Sequence, residues 1–257
     1  MFQWMMILLE QQGWVRKLFY ASSTYTVQGR NAVTFDLLEA ADLWDNVLLY
    51  DLDQIPPRNI TPEQTLLAHL QQISTLPVVG GAVFMRAYPF PPIAYEVANW
   101  DGSVQPRHVP LDKMKPLLKV RGLLKVDAVG TGAMLVRKDV LVAMAEHKDF
   151  PAHALWETPP RAPADPSAPR KHWLLGEDLN FCREVGELGF DVYMDTEFEN
   201  GHVEDQIIGS RNYLMAAQAA EQQAQRERLA RTAQAQQEGR IWTPKGVPSP
   251  TGRMPTS

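Results

Sequence analysis

Two acids separated by one residue, Asp51 and Asp53, stand directly after the apolar run Val47-Leu48-Leu49-Tyr50. A continuously apolar run of this kind reads as a strand covered on both faces, so the two carboxylates sit at a strand's carboxyl end. There they can cap a turn, or hold a hard divalent cation such as magnesium, which takes carboxylate, phosphate and water oxygens together. A second acidic pair, Glu177-Asp178, follows Gly176 and opens a helical pattern. Carboxylates in a first helical turn interact well with the free backbone N–H groups, and one of them can also serve as a general base for an incoming hydroxyl. His202 sits in Asn200-Gly201-His202-Val203, an imidazole at the edge of a glycine turn, a place suited to a structural role or a ligand role. Arg30-Asn31 precedes another helical stretch, where Asn31 can cap and Arg30 can meet a phosphate or an acid. Finally, Gly130-Thr131-Gly132 interrupts an apolar run, and its glycines let a partner come close to the backbone.

These residues need a scaffold, and the hydrophobic pattern supplies one. Residues 1–13 predict a buried helix, too short in its apolar part to span a bilayer and without signal-peptide flanks, and residues 15–20 predict a strand. Val33, Leu37, Leu38, Ala41 and Trp44 recur at three- and four-residue intervals over 31–45, which predicts an amphipathic helix ahead of the strand 47–50. Thr61-Pro62-Glu63-Gln64 carries a hydroxyl cap, proline at the first helical position and glutamine three residues after the cap, so 62–72 is expected to be helical. Residues 78–85 and 126–137 read as strands, 139–147 and 177–188 as helices, and 190–194 as a short strand. Residues 88–110 and 151–171 are rich in proline and are expected to be irregular loops. Alternation of strands and helices predicts an α/β layered domain over 1–209, with ligands gathering at the carboxyl ends of strands. Over 210–238 alanine and glutamine predominate, predicting a polar helix with little core to bury. Residues 239–257, rich in proline, glycine, serine and threonine, are expected to be disordered.

Composition narrows the function classes. With 257 residues, 25 basic and 30 acidic, the chain can bury one full core and carries a net charge of -5, which argues against coating nucleic acid by counterion release. The lone cysteine, Cys182, cannot form an intrachain disulfide, and no His/Cys group has structural-zinc spacing, so a cytoplasmic protein without a transmembrane segment is expected.

Taken in order along the chain, the same residues resemble a known family. Gly29-Arg30-Asn31-Ala32-Val33 before a helix, Leu48 to Gln54 with its D-x-D pair and two following prolines, Val129 to Val136 around the glycine turn, and Gly176 to Cys182 with a later Gly-His together resemble the GT-A fold glycosyltransferases, close to the family 2-like bacterial and phage enzymes. The resemblance runs from about Arg16 to Val203. It implies a GT-A-like, Rossmann-like mixed sheet flanked by helices, and a metal-dependent transfer of a sugar from a nucleoside-diphosphate sugar to an acceptor hydroxyl. Asp51 and Asp53 would then hold manganese or magnesium bridging the diphosphate, with His202 completing the shell. Asp178 would be the base beside Glu177. Arg30, Asn31, Asp51, Gly130, Thr131 and Gly132 would line the donor site. The acceptor is left open among glycan, protein, lipid and modified nucleobase. Such enzymes normally begin with a strand whose loop grips the nucleotide base, whereas this chain opens at what corresponds to the first helix, so a GT-A-like domain lacking that strand is expected.

The chemistry suits the residue types, because a departing nucleoside diphosphate accumulates negative charge that a divalent cation neutralises. Trp100, Trp156 and Trp173, in or beside the two loops, can stack on sugar faces or pack the loops. Two other readings compete. A strand ending in D-x-D also resembles haloacid dehalogenase-like phosphatases, with Asp51 as nucleophile, but Gln54-Ile55-Pro56-Pro57 departs from that pattern. A non-catalytic GT-A domain used for binding or assembly is the other, with self-association through the polar helix.

Overall fold

In the computed structural model, residues 26–51, 54–55, 66–100, 105–158, 176–203 and 207–237 are described. The expectations for residues 1–20, Asp53, Trp173 and the tail 239–257 lie outside them. The chain divides into a first unit, Met1–Leu214, and a second, Met215–Ser257.

The first unit is a mixed α/β layer structure. Helix α1 (Thr26–Glu39) and a short 3-10 turn (Ala41–Leu43) lead into β1 (Asn46–Tyr50) and β2 (Gln54–Ile55). Then come α2 (Leu66–Ile73), β3 (Val78–Val83), β4 (Ala94–Glu96), β5 (Arg107–His108), α3 (Leu111–Val120), β6 (Leu123–Val126), β7 (Ala128–Val129) and β8 (Ala133–Arg137). Helices α4 (Lys138–Lys148) and α5 (Glu177–Glu187) and strands β9 (Val192–Val203) and β10 (Ile207–Ile208) follow, and helix α6 (Ser210–Gln237) begins in the first unit and continues into the second.

Among the described residues the main sheet has seven strands. Its path is β1-β8-β3-β9-β10, with β2 and β6 also pairing with β9. Strand β8 runs antiparallel to both β1 and β3, while β3 and β9 are parallel. A smaller sheet of β5, β4 and β7 sits beside it. The central strand β3 is buried at all six positions, as the run Val78-Val79-Gly80-Gly81-Ala82-Val83 requires of a strand covered on both faces. One core cluster gathers Phe84, Met134, Leu141, Trp156, Phe181 and Met194, and a second gathers Leu70, Ile73, Leu135 and Phe198 around α2.

Several expectations change. Helix α1 starts at Thr26, so Arg30 and Asn31 lie within it rather than ahead of it, and Asn31 does not cap it. The stretch 88–110 contributes β4 and β5 to the small sheet. Strand β9 has twelve residues instead of ending near Met194, and His202 lies inside it, because β2 and β10 supply pairing partners that the local pattern does not reveal. Within 151–158, Leu155 and Trp156 are fully buried, so this part of the proline-rich stretch is packed. Helix α6 lies where the polar helix is predicted. Its first turns are anchored by Tyr213, whose ring centroid lies 5.9 Å from that of Phe84. Residues 218–231 are exposed throughout. Among the described residues no helix is long and apolar enough to cross a membrane.

Candidate functional site

The carboxyl end of β1 is tied to the glycine turn by its backbone. The Asp51 N–H donates to the Gly132 carbonyl at 2.9 Å, and the Gln54 N–H donates to the Asp51 carbonyl at 3.1 Å. Helix α1 brings Arg30 to the same place. Its Nη2 lies 3.2 Å from Asp51 Oδ2 and its Nη1 2.9 Å from Glu177 Oε1. One guanidinium thus joins an acid at the end of β1 to an acid in the first turn of α5, 147 residues from Arg30 in the chain. Arg30 is largely enclosed, with 10% of its side chain exposed, while Asp51 keeps 42% and Glu177 26%. Both acids therefore retain faces turned to solvent.

Helix α5 starts on Gly176, which has no side chain to cap with, and the Asp178 carboxylate instead accepts the Leu179 N–H at 2.8 Å. Its other oxygen lies over the glycine turn, 3.8 Å from where a Cβ on Gly130 would stand. Burial, and then the negative charge of Glu177, raise the Asp178 carboxyl above its ordinary value, opposed by the Leu179 N–H and Arg30. On the next turn of the same helix, Cys182 donates to the Val129 carbonyl at 3.7 Å and fixes α5 against β7. Burial pushes that thiol up to about 12, so it stays protonated.

The glycine turn itself is filled. A Cβ on Gly130 would stand 2.7 Å from Ile93 Cγ2, one on Gly132 would stand 3.0 Å from Gln54 Nε2, and Thr131 is buried. The glycines here make room for the protein's own side chains. Asn31 likewise faces protein: its Nδ2 donates to the Trp156 carbonyl at 2.7 Å and its Oδ1 accepts the Trp156 N–H at 2.9 Å. Trp156 is stacked on Phe181 with centroids 4.1 Å apart and donates its indole N–H to Thr34 Oγ1. It is a core residue and leaves no ring face for a sugar.

His202 is placed by backbone register opposite Gln54, and Gly201 opposite Ile55. The segment that follows Asp51 therefore runs beside residue 202, although the two lie some 150 residues apart in the chain. Among the described residues no group of three or more His, Cys, Asp and Glu side chains gathers to hold a metal; Asp53 lies outside them. The donor types nevertheless suit a hard cation: a partly exposed carboxylate at Asp51, and a histidine at the adjacent register position.

One neighbour of this site escaped the sequence. Tyr95 of β4 has its hydroxyl pushed up to about 12, by burial and then by the charge of Asp178, so it stays protonated. Its ring packs on His108 with centroids 4.7 Å apart. The proline-rich context of 88–110 hid the short strand that carries it.

No protein-family model matches the chain, and no curated protein matches it. Among solved structures the chain is similar to one titled "Crystal Structure of A197 from STIV", with 12% identity, 78% of each chain covered and a TM-score of 0.42.

Proposed function

We propose that this chain is a metal-dependent glycosyltransferase of GT-A-like fold, moving a sugar from a nucleoside-diphosphate sugar to an acceptor hydroxyl. The observation that supports it is convergence: Arg30, Asp51, the 130–132 turn, Glu177-Asp178 and the register position of His202 come from five separate segments and meet at one end of β1. These are the segments on which the resemblance rests. Asp51 and Asp53, with His202, would hold manganese or magnesium, which when bound supplies positive charge to the diphosphate oxygens. Arg30 keeps the neighbouring acids apart and offsets their charge. Asp178, partly withdrawn from water, takes the proton of the acceptor hydroxyl, and its raised carboxyl makes it a stronger base than an exposed aspartate. Tyr95, its hydroxyl kept neutral, lies within the electrostatic reach of that acid.

Calorimetric titration of manganese with UDP or GDP, run beside a sugar-transfer assay, tests this. Binding is expected to be lost in Asp53→Ala and weakened in His202→Ala; binding unchanged in both would overturn the metal assignment. Asp178→Asn is expected to lower transfer by about 10²–10⁴-fold with donor binding kept. Its sign on stability is opposite. A carboxyl raised in the folded state favours folding while protonated and loses that contribution as pH rises, so the amide should stabilise the fold at pH 7. Transfer surviving in Asp178→Asn would remove the base assignment, and a trapped aspartyl phosphate on Asp51 would favour the phosphatase reading instead.

A further inference from the structure

Strand β9 does not run straight past β3. Gly81 pairs with Asp195, yet the next residue, Ala82, pairs with Glu199, so Thr196, Glu197 and Phe198 are looped out as a bulge. Only a glycine at 81 permits this, because a Cβ there would stand 2.6 Å from the Phe198 carbonyl oxygen. Asp195, Thr196 and Asn200 are fully buried, which for polar groups demands partners. Thr196 Oγ1 accepts the Gly122 N–H at 2.9 Å. Arg121 Nη1 donates to the Thr196 carbonyl and to Glu199 Oε2, both at 2.8 Å. The Tyr50 hydroxyl donates to Asn200 Oδ1 at 2.9 Å. None of these ties involves an imidazole.

The remaining tie does. His69 of α2 contacts Asp195 through Nε2 and stands 3.1 Å from Glu197 Oε2 through Nδ1. An imidazole whose two nitrogens both face carboxylates has a hydrogen for each only when doubly protonated; either neutral tautomer sets a lone pair against one acid. Beyond the bulge, β9 delivers Gly201 and His202 to β2, immediately after Asp51.

We propose that His69 is a positioning residue: as an imidazolium it clasps Asp195 and Glu197, fixes the bulge, and so holds residues 199–203 against β2, an arrangement that loosens as pH rises. The charged groups facing it are Asp195 and Glu197 of β9; Arg121, ahead of β6, and Tyr50, of β1, act on the same bulge through Glu199 and Asn200. The hydrogen bond with Asp195, and then the charge of both acids, hold the imidazole above its ordinary value against the opposing pull of burial. Stability from such a group is fully present below the unfolded value near 6.5 and is lost as pH rises through the folded one. The clasp stands on geometry alone; its consequence for sugar transfer rests on the reading proposed above.

The test is imidazole NMR titration of the full chain together with amide hydrogen exchange from pH 5.5 to 9, corrected for the intrinsic rate, on wild type and His69→Gln. His69 is expected to titrate above its ordinary value. Protection of 199–203 should fall as pH passes that point, by roughly tenfold for a displacement of one pH unit. Protection of β8 should hold, and His69→Gln should show no step. Titration at or below the ordinary value, or the same step in His69→Gln, would overturn the proposal. Should His69→Gln fail to fold, Glu197→Gln serves, since losing one acid must move the step to lower pH, and an unmoved step overturns the clasp. Manganese titration of wild type at pH 6 and pH 8.5 separates the two ideas. No manganese binding at either pH with the step intact removes the sugar-transfer reading alone, and binding that depends on Asp53 with no step removes the clasp alone.

Discussion

Arg30 and His69 occupy similar places. Each is a cation between two acids, Asp51 and Glu177 for the first and Asp195 and Glu197 for the second. They differ in what the acids have left to give. Asp51 and Glu177 remain partly exposed, whereas Asp195 is wholly enclosed and also accepts the Glu197 N–H at 2.8 Å. They differ as well in the cation, since a guanidinium keeps its charge at every relevant pH and an imidazolium does not. The first arrangement can hold acids ready for a ligand; the second spends its acids on the fold and makes that fold sensitive to pH.

The largest effect expected from breaking this contrast lies at the enclosed pair. Asp195→Ala leaves His69 and the bulge without their buried partner, and urea unfolding at pH 6 should show a loss of about 3–5 kcal/mol, the usual cost of stranding half of a buried pair. A loss under about 1 kcal/mol would mean that the two clusters are energetically alike. Arg30→Gln comes next. With Asp51 open to screening solvent, its stability cost should be near 1 kcal/mol. Its clearer signature is at Asp178, whose carboxyl should move further up once the lowering influence of Arg30 is gone, read by carboxyl carbon NMR. An unmoved carboxyl would show that Arg30 serves only the Asp51 and Glu177 pair. The smallest change is expected from removing 216–257, of which residues 218–231 are exposed helix: it should shift unfolding of the rest by no more than about 0.5 kcal/mol.

How much of this was legible beforehand follows from how local each signal is. Apolar runs such as Val47 to Tyr50 and Val78 to Val83 announce strands from a local pattern, but only β3 is buried at every position as such a run implies; β1, at the end of the sheet path, is half-buried throughout. Helix α3 was missed because Pro116 lies inside it and lysines interrupt its apolar positions, although Met114 and Leu118 are buried as a helix face requires. Asp51, Arg30 and Glu177-Asp178 stood out by type and order, but no spacing rule could show one arginine reaching both acids. The bulge was the least readable. Asp-Thr-Glu-Phe-Glu-Asn looks like a solvated turn, and its burial is decided by His69, Arg121 and Tyr50, each far away in sequence. A lone histidine on an eight-residue helix carries no mark of that role.

Arg30 and Asn31 are neighbours on α1 with unrelated duties, one holding two acids and the other gripping Trp156 through both ends of its amide. Because successive residues of a helix are turned by roughly 100°, the two directions are fixed relative to each other by adjacency. Inserting or deleting one residue between this dipeptide and the buried Thr34 and Leu37 would rotate both side chains away from their partners at once relative to the packed part of the helix, and no repacking near either could restore both. Point changes along α1 can be inherited one at a time, but changes of length there cannot, so diverging copies of this chain should keep the helix in frame from Arg30 onward while gaining and losing residues in their loops.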